Sequence, residues 1–430
     1  MPKTVCFATL GCKVNQYDTQ AMLERFRERG YLAVEPGAAA DVCVVNTCTV
    51  TGTGDKKSMQ LIRRFRRRNP QAEVVVAGCL AQRMGEALRE TGARLILGTQ
   101  YRARVVELLE KAVAEDIQLV AVDALESAPY EPLSIHSHEG HTRAVMKIQE
   151  GCDNRCTYCI IPSVRGGVRS RPLEEIRREA ESLARAGFQE LVLTGIHLTS
   201  YGRELEGKPR LSDAVSAVCA QEGIRRVRLG SLEPRVADEA FVSALKRCPQ
   251  VCPQFHLALQ SGSDAVLRRM KRGYNTAQFL AAAGRLRAAY PQAAVTTDVI
   301  VGFPGETEEE FEETARFCER VGFAKIHVFP YSRREGTPAA SMPGQVPEAA
   351  RERRVHSLLG TAERLARAYR ESLVGTVRQV LLEERTPRGG AVGYTPEYVH
   401  VSVAEGAPGT LVNVRLEAPT EEGMTGTVVE

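Results

Sequence analysis

The sequence predicts an α/β protein of three parts: a doubly wound parallel-sheet domain, a partial barrel of six βα units and a small antiparallel β-barrel. Two features of the 430 residues carry this prediction. Short apolar runs alternate with amphipathic, charged stretches through about the first 330 residues, which is the pattern of parallel strands joined by helical crossovers. After a long Arg- and Glu-rich helical stretch, the rest of the chain shows only strand-like alternation around Gly and Pro turns.

In residues 1–118, four apolar runs are predicted to form the buried strands of the doubly wound sheet. The charged, helix-forming segments between them are long enough to serve as crossovers. The runs are Val5 to Thr9, Val42 to Asn46, Val74 to Ala77 and Leu95 to Leu97. Residues 119–141 contain Pro129, Pro132 and three histidines without clear periodicity, which predicts a linker.

Residues 142–372 are predicted to form the partial barrel and the helix after it. Six βα units indicate an open barrel rather than a closed one of eight, with ligands at the C-terminal ends of the strands. The strand candidates are Ala144 to Ile148, Leu191 to Thr194, Arg226 to Leu229, Phe255 to Leu259, Val295 to Val301 and Lys325 to Phe329. The helix candidates are Leu173 to Ala186, Val236 to Lys246, Ala277 to Ala289 and Glu308 to Val321, followed by a long helix over about 348–373.

Residues 373–430 are predicted to form a five-stranded barrel of the kind that binds oligonucleotides. Its strand candidates are Val377 to Leu382, Ala391 to Gly393, Val399 to Val403, Leu411 to Leu416 and Gly426 to Val429.

Composition narrows the class of protein. Lys and Arg total 57 against 53 for Asp and Glu, and this net charge of +4 is too small to identify a nucleic-acid binder from the whole-molecule field. The first residues lack the pattern of a secretory signal, and no segment approaches the length of an apolar membrane span, so we expect a cytoplasmic protein without membrane contact. In that reducing compartment, grouped cysteines among the twelve are expected to serve as metal ligands or catalytic thiols rather than disulfide partners.

The sharpest chemical signal is a CxxxCxxC motif directly after the first strand candidate of the barrel, formed by Cys152, Cys156 and Cys159. A loop at this place projects three thiolates over the mouth of the barrel. Three cysteines on a four-iron cluster leave one iron without a protein ligand, and that iron can bind a substrate. The alternative is a structural zinc site, which would need a fourth ligand from the linker. The candidates for that ligand are His136, His138 and His141.

A second set of cysteines occurs in the first part of the chain. Cys12, Cys48 and Cys79 each fall just past the end of a strand candidate. Because the ends of parallel strands lie side by side at the ligand-binding edge of a doubly wound sheet, the three thiols are expected to converge. The alternative is three small core residues, since free cysteine is among the most buried residue types. Core positions are the prediction for Cys6, Cys43, Cys219, Cys248, Cys252 and Cys318.

The motifs around these cysteines resemble those of the radical S-adenosylmethionine methylthiotransferase family, and the resemblance covers essentially the whole chain. The order of parts is also that of the family: a three-cysteine domain, a radical barrel and a small RNA-binding barrel of the TRAM type. The matching segments are GCKVNQYDT at 11–19, NTCTVT at 46–51, AGCLAQR at 77–83, IQEGCDNRCTYCIIPSVRG at 148–166 and DVIVGFPGET at 298–307.

The resemblance implies two 4Fe-4S clusters and S-adenosylmethionine as cofactors. The CxxxCxxC trio would hold the cluster that binds S-adenosylmethionine, and the other trio an auxiliary cluster that carries sulfur. The further cofactor contacts that it implies are Tyr158, Thr194, Gly195, Ser231, Glu233, Gln260 and Asp298. At Asp298 the match to the pattern GxIxGxxE is partial, because Asp298 stands where glycine is expected and Gly305 where the acid is expected. No residue is assigned as a general acid or base.

The first motif, GCKVNQYDT, is similar to that of the family's threonylcarbamoyl branch. This implies an enzyme that adds a methylthio group to C2 of N6-threonylcarbamoyladenosine, next to the anticodon of transfer RNA. The alternatives are branches that act on isopentenyladenosine in transfer RNA or on an aspartate of a ribosomal protein. An alternative of another class is a non-enzymatic, RNA-binding iron-sulfur sensor. The expected partners are a transfer RNA and an external electron donor of the flavodoxin or ferredoxin type, and the sulfur donor stays open.

Two regions are candidates for RNA contact. The arginine run at 63–68 is the densest basic patch, although a charge run on a helix is equally well a solvated face. The terminal barrel is favoured, because phosphates need cations and an unstacked base needs aromatic or guanidinium planes. Its candidate residues are Arg378, Arg385, Arg388, Tyr394, Tyr398 and His400.

Overall fold

The computed structural model describes residues 2–126, 128–137, 141–387 and 389–429. It confirms the predicted α/β class, with a parallel sheet, a partial barrel and a closed small barrel in that order. The twelve helices of these residues are α1 Lys13–Glu28, α2 Gly52–Arg68, α3 Cys79–Met84, α4 Val105–Ala114, α5 Ile161–Arg165, α6 Leu173–Arg185, α7 Leu211–Cys219, α8 Glu239–Lys246, α9 Asp264–Arg269, α10 Thr276–Ala289, α11 Glu308–Val321 and α12 Glu348–Glu371.

The first domain has one parallel sheet of six strands in the order β2-β1-β3-β4-β5-β6. The strands are β1 Thr4–Thr9, β2 Leu32–Val34, β3 Val42–Thr47, β4 Glu73–Gly78, β5 Leu95–Leu97 and β6 Leu119–Ala121. Separate apolar clusters cover the two faces, which is why β3 reads as a continuous apolar run. The predicted linker therefore begins later than residue 119, because Leu119 to Ala121 pair with β5 and complete the sheet.

The barrel region consists of two sheets, ordered β10-β9-β7-β8 and β11-β12-β13. The strands are β7 Arg143–Glu150, β8 Arg169–Ser170, β9 Glu190–Gly195, β10 Arg226–Leu229, β11 Gln254–His256, β12 Ala294–Val301 and β13 Lys325–Pro330. All six predicted strands are present, and β8 is a short addition that pairs antiparallel to the end of β7. Isolated bridges such as Val227 to Val251 join the two sheets into the partial barrel.

Local sequence explains where the barrel helices begin. The side-chain oxygen of Asn275 accepts a hydrogen bond from the backbone N–H of Gln278, and the backbone N–H of Asn275 donates to Gln278 Oε1, which completes the capping box of α10. Thr307 and Glu310 form the same capping box at the start of α11. The first turn of α11 also carries three acidic residues, whose negative charges interact favourably with the positive end of the helix dipole. The apolar faces of these helices join the barrel strands in one large core.

The C-terminal domain is a closed barrel of five strands in the order β14-β15-β16-β18-β17. The strands are β14 Val377–Arg385, β15 Ala391–Tyr394, β16 His400–Val403, β17 Leu411–Pro419 and β18 Met424–Val429. Its own apolar core fills the interior. This confirms the predicted number of strands.

A buried network of charges joins the first domain to the partial barrel. Asp18 on α1 forms ion pairs with Arg102, Lys147 and Arg165. Glu150 at the end of β7 forms ion pairs with the same three cations. All five side chains are nearly inaccessible. Buried charges of this kind are tolerated only when they are fully paired, so the two domains are held in one relative position by a demanding set of contacts.

Candidate active site

The CxxxCxxC loop begins where β7 ends. Gly151 follows Glu150 with a φ of +70°, and a side chain there would place its Cβ 1.8 Å from the carbonyl oxygen of Gly167. Only glycine permits this close approach. The loop is then held by a hydrogen bond from the backbone N–H of Cys152 to the Gly166 oxygen at 2.9 Å.

The structure brings Cys152, Cys156 and Cys159 together in the wall of one cavity at the barrel mouth. The position at the C-terminal ends of the strands is the one predicted from the sequence. The cavity is further lined by Asn154, Tyr158, Ile161, Ile196, His197, Ser231, Leu232, Glu233, Ala258, Gln260 and Arg272.

One carboxylate in this cavity is held ionised by its neighbours. Glu233 lies 2.7 Å from Arg235 and 3.2 Å from Arg272, and Asn154 donates to it at 3.1 Å. Burial alone would raise the pKa of Glu233, but His197 and the two arginines outweigh burial and lower that pKa to about 2. The cavity therefore offers a permanent negative charge beside the three thiols.

Burial raises the pKa of the cavity thiols, to about 11 for Cys152 and about 12 for Cys159. Without a metal they are protonated at neutral pH. Coordination to iron requires thiolates, so binding of a cluster must release protons.

Cys12, Cys48 and Cys79 lie at one edge of the first sheet. Cys12 is the N-cap residue of α1, Cys48 comes directly after β3, and Cys79 opens α3 directly after β4. The strands β1, β3 and β4 are neighbours whose ends are in register. Because these strands are neighbours, Cys12, Cys48 and Cys79 lie at neighbouring strand ends, as the sequence predicted.

The segment that carries Cys12 packs closely against Cys48. A Cβ added to Gly11 would lie 3.2 Å from Cys48 Sγ, so the strand end carrying Cys12 passes directly beside Cys48. Burial raises the pKa of Cys79 to about 11, and the nearby Cys12 and Cys48 thiols add to that rise. These three thiols therefore share one electrostatic environment.

Arg165 links this trio to the barrel. It stands six residues after Cys159 on the chain, and its Nε donates to Cys79 Sγ at 3.2 Å. The rest of its guanidinium contacts Asn15, Asp18 and Glu150. Arg272 has the matching role at the other trio, donating to Cys156 Sγ at 3.1 Å. Each trio thus has a buried arginine that favours the thiolate form.

The two trios are neighbours. Helix α5, which begins two residues after Cys159, packs against α3, which begins with Cys79. Ile160 and Cys79 belong to one small apolar cluster together with Val164. The distance along the chain between the two motifs therefore says nothing about their separation in space.

The geometry argues against the zinc alternative. Four sulfurs around one zinc are separated by about 3.8 Å, given Zn–S bonds of about 2.3 Å. Among the residues that the structure describes, neither trio forms a group of ligand atoms within 4.8 Å of one another. Thiolates that bind different irons of a cluster do not need to meet at one point.

The linker histidines do not supply a fourth ligand to the CxxxCxxC trio. His136 contacts Ser182 and Glu24, and neither His136 nor His141 lines the cavity. His138 lies outside the described residues.

The other predicted cofactor contacts divide into two groups. Tyr158, Ser231, Glu233 and Gln260 line the cysteine cavity. The remaining three do not line it. Thr194 and Gly195 end β9, and the residues after them, Ile196 and His197, reach the cavity instead. Asp298 is on β12 beside His256 and His327.

Four residues of the two sites were not found by sequence reasoning: Asn154, Arg165, His197 and Arg272. Arg165 stands inside a quoted motif, so its position offered a signal. His197 and Arg272 lie in segments without a recognisable pattern, and only the barrel topology places them at the cavity.

The predicted RNA contacts of the terminal barrel are largely engaged within the protein. The rings of Tyr394 and Tyr398 stack at 4.6 Å, and Arg143 and Arg228 of the partial barrel lie within 4.9 Å of these rings. Arg378 pairs with Glu397 at 3.0 Å. These side chains seat the small barrel on the partial barrel. Arg385 is exposed, His400 is half-buried against Tyr394, and Arg388 lies outside the described residues.

The arginine run of α2 has the opposite character. Phe65 faces the core, while Arg63, Arg64, Arg66, Arg67 and Arg68 are exposed. Within the described residues, none of these five arginines forms an ion pair with an acidic side chain. Three of them, Arg63, Arg66 and Arg67, line a groove together with Met59, Gln60, Glu90 and Thr91. The arginine run of α2 therefore offers an exposed cationic surface.

Among the helices of the described residues, none combines the length and apolar character that a membrane crossing requires.

Known protein families match the first domain and the partial barrel. A family described as "Radical SAM superfamily" matches residues 146–318, and one described as "Uncharacterized protein family UPF0004" matches residues 4–98. The chain is 42% identical over 99% of its length to the threonylcarbamoyladenosine tRNA methylthiotransferase MtaB of Bacillus subtilis, covering 97% of that protein. It is 36% identical over 98% of its length to the MtaB of Thermotoga maritima, covering 96% of it.

The fold is similar to that of a solved radical enzyme. The structure of the radical S-adenosylmethionine methyltransferase TsrM from Kitasatospora setae matches with a TM-score of 0.58 and 15% identity, covering 79% of this chain and 77% of that one. At this identity the similarity concerns the fold alone. The full-length identity to the two methylthiotransferases, together with the two cysteine trios, shows that the chain belongs to the radical S-adenosylmethionine methylthiotransferase family.

Proposed function

We propose that this protein adds a methylthio group to C2 of N6-threonylcarbamoyladenosine next to the anticodon of transfer RNA. The observation that carries the proposal is the convergence of two cysteine trios, from different domains, on neighbouring points at the mouth of one barrel. The identity to threonylcarbamoyladenosine tRNA methylthiotransferases supports the substrate.

The residues present fit two 4Fe-4S clusters and S-adenosylmethionine. Cys152, Cys156 and Cys159 would hold one cluster with an open iron, and Cys12, Cys48 and Cys79 the other. When bound, these groups supply the reductive cleavage, the radical that activates the target carbon, and the sulfur and methyl group that replace its hydrogen.

The chain's own side chains position and shield this chemistry. Glu233 stays ionised in the cavity, where it can accept hydrogen bonds from a bound cofactor. Tyr158, Ser231 and Gln260 offer further polar contacts around the same space. Arg165 and Arg272 each donate to one sulfur, which would stabilise the thiolate form of each trio.

Nucleoside analysis tests the substrate. Deleting the gene should remove the methylthio form of threonylcarbamoyladenosine from transfer RNA and leave isopentenyladenosine derivatives unchanged, as read by mass spectrometry. Complementation with wild-type protein should restore it, and complementation with Cys48→Ala or Cys156→Ala should not. An unchanged threonylcarbamoyladenosine profile would contradict the proposal, and a changed mass of a ribosomal protein would point to the aspartate-modifying branch instead.

Iron and product analysis separates the enzyme from the non-enzymatic sensor. Two loaded clusters give about eight irons per chain. With reductant and S-adenosylmethionine, the enzyme releases deoxyadenosine, while a sensor does not. Cys12→Ala should keep deoxyadenosine formation and lose methylthio transfer, because only the auxiliary trio is incomplete.

The target adenosine must unstack from its neighbouring bases to reach the barrel mouth. The protein therefore has to bind the phosphate backbone on either side of that nucleotide. The five exposed arginines of α2 are the proposed phosphate contacts, with Arg385 and Arg388 as secondary candidates on the terminal barrel. Replacing Arg63, Arg66 and Arg67 by Gln should weaken binding of transfer RNA and reduce its dependence on salt concentration by about three phosphate contacts. The partners completing turnover are an electron donor of the flavodoxin or ferredoxin type and a sulfur donor, in the cytoplasm.

A further inference from the structure

Three side chains that neither cysteine site uses meet on the second sheet of the barrel. His256 is on β11, Asp298 on β12 and His327 on β13. One nitrogen or oxygen atom from each lies within 4.8 Å of the other two. Two imidazoles and one carboxylate are a donor set typical of zinc and related divalent transition metals.

The sheet itself holds this trio in place. His256 pairs with Thr296, and Asp298, two residues further along β12, pairs with His327. Paired residues of parallel strands share a face, as do residues two apart, so all three side chains project from the same face. The opposite face of β12 carries Val295 and Val299, which pack in the main core against the helices. The trio therefore faces the lumen of the barrel.

The rings converge over the middle strand. The centroids of His256 and His327 are 6.1 Å apart although β12 lies between their strands. His256 Nε2 lies 3.4 Å from Asp298 Oδ2. Two ligands of a tetrahedral ion with bonds of about 2.1 Å are separated by about 3.4 Å. The distance between His256 Nε2 and Asp298 Oδ2 therefore matches the distance between two ligand atoms of one bound ion.

A further contact orients the first imidazole. His256 Nδ1 lies 3.1 Å from the hydroxyl of Thr296, which also accepts a hydrogen bond from Gln254 Nε2 at 3.2 Å. Metal-bound histidines usually have such a partner on the second ring nitrogen, because it sets the tautomer and the ring plane. Nε2 is then the nitrogen left for an ion.

We propose that His256, Asp298 and His327 bind one divalent transition-metal ion of the zinc type, with a fourth coordination position open to the lumen. The trio lies one row of residues below the cysteine cavity. The carbonyl oxygen of Asp298 accepts the backbone N–H of Gln260, whose side chain lines that cavity. An ion here is close to the barrel mouth but separate from both clusters.

The open position suits an oxygen ligand, and a carboxylate is a favourable one for this class of ion. The threonylcarbamoyl group carries a carboxylate and a hydroxyl, whereas an isopentenyl group carries neither. The ion would therefore select the substrate by binding its threonyl carboxylate, a step that rests on the proposed function. Metal binding by the trio does not depend on it.

Co²⁺ is the probe for the ion. Protein loaded with both clusters is incubated anaerobically with CoCl₂, desalted and analysed for cobalt and iron. Wild-type protein should retain one Co²⁺ per chain, and His256→Ala, Asp298→Asn and His327→Ala should each reduce affinity by about tenfold or more. His356→Ala, which changes an exposed histidine on α12, is the matched control and should retain the ion.

X-ray absorption at the cobalt edge identifies the ligands. The site predicts nitrogen and oxygen neighbours at about 2.0–2.2 Å and no sulfur at about 2.3 Å. Unchanged iron content in the variants shows that they fold and keep their clusters. Cobalt bound through sulfur, no cobalt retained by wild-type protein, or full retention by both histidine variants would each overturn the metal site.

Steady-state kinetics test the role in selection. His327→Ala should raise KM for transfer RNA carrying threonylcarbamoyladenosine by about tenfold or more, with a smaller effect on kcat. If wild-type protein retains Co²⁺ but this KM is unchanged in the variant, the selective role is wrong and the metal site stands. If wild-type protein with bound metal forms no methylthio product on this RNA, the proposed function is wrong while the metal site again stands.

Discussion

At the scale of single residues, one buried arginine contacts a sulfur of each proposed iron-binding trio. Arg165 is inaccessible to solvent and contacts Cys79, Asn15, Asp18 and Glu150 at once. It is supplied by the barrel but serves the trio of the first domain. Its positive charge favours the thiolate form of the cysteines. Its guanidinium N–H groups also donate hydrogen bonds to the buried carboxylates of Asp18 and Glu150, which would otherwise have too few partners.

Arg165→Gln should lower the iron content from about eight toward about four per chain, because the auxiliary trio loses the cation that favours its thiolates. Arg165→Lys should retain more iron but less than wild-type protein, since a lysine cannot reproduce the fork. Iron assay and electron paramagnetic resonance of the reduced protein measure this.

Arg177→Gln, an exposed change on α6, is the control for that experiment and should keep about eight irons. Full iron loading in Arg165→Gln would contradict the role of Arg165. The destabilisation expected from leaving Asp18 and Glu150 underpaired should be visible separately as a lower unfolding temperature.

Glu306 predicts a pH dependence of stability. Its Oε2 accepts hydrogen bonds from Gly302 and Arg354, but its Oε1 has no partner among the described residues. Burial raises the pKa of Glu306 to about 7, although Arg354 and the Gly302 N–H act against the rise. The folded state thus binds a proton more tightly than the unfolded state, whose carboxyl titrates near 4.5.

Between about pH 4.5 and 7 the unfolding free energy should therefore fall as pH rises, by an amount on the order of 1–3 kcal/mol from this group. Glu306→Gln should remove that component, so the variant gains stability relative to wild-type protein at pH 8 and not at pH 5. Urea unfolding at the two pH values measures the difference. An equal effect at both would show that Glu306 is ionised throughout.

At the level of whole elements, tight turns at strand ends deliver the cysteines. Gly78 ends β4 directly before Cys79 with a φ of +95°. A side chain there would place its Cβ 2.4 Å from Asn46 Oδ1 and 2.7 Å from the carbonyl oxygen of Thr47. The turn from β4 into α3 therefore requires glycine, and it determines where the Cys79 sulfur lies.

Gly78→Ala should destabilise the protein by roughly 1–3 kcal/mol and impair loading of the auxiliary cluster. Gly284→Ala is a matched control, because Gly284 is in the middle of α10 with ordinary φ and no atom within 4 Å of an added Cβ. That change should stabilise by about 0.5–1 kcal/mol, as alanine favours helix. Thermal unfolding and iron assay of both variants compare the two positions, and equal behaviour would contradict the strain argument.

Across the whole molecule, aromatic and arginine side chains connect the terminal barrel to the partial barrel, beside the apolar contact of Tyr369 on α12 with the core of the terminal barrel. Tyr398 lies between Arg143 and Arg228, and Arg228 also donates to the carbonyl oxygen of Pro396 at 2.8 Å. Arg226 in turn donates to the carbonyl oxygen of Tyr394 at 2.9 Å. Attachment of the terminal barrel therefore depends on arginine side chains of the partial barrel that are shielded from water and contact tyrosine rings and carbonyl oxygens of the terminal barrel.

Tyr398→Ala should weaken this contact between the barrels by about 2 kcal/mol, since it removes the ring between the guanidinium groups of Arg143 and Arg228. Limited proteolysis should then cleave faster between α12 and β14. Tyr101→Ala, which changes a half-buried tyrosine packed within the first domain, should leave cleavage between α12 and β14 unchanged. A wild-type rate of cleavage in Tyr398→Ala would show that the backbone contacts suffice.

The sequence by itself determined the three-part architecture and the two cysteine sets. Apolar periodicity depends on local burial, so β1, β3 to β5, the six barrel strands and the five terminal strands were all predictable. The spacing of CxxxCxxC and the recurrence of cysteine after strand ends were likewise local signals. The short strands β2, β6 and β8 were missed, because two or three residues carry little periodicity and only pairing with a neighbouring strand defines them as strands.

Only the tertiary structure decided which distant polar residues meet. Arg165 at Cys79, Arg272 at Cys156 and Tyr398 against Arg143 join residues that are 86, 116 and 255 positions apart. A charged or aromatic side chain looks the same in sequence whether it is solvated or buried against a partner. Burial makes that difference, and burial depends on how whole domains pack, which no local pattern of residues contains.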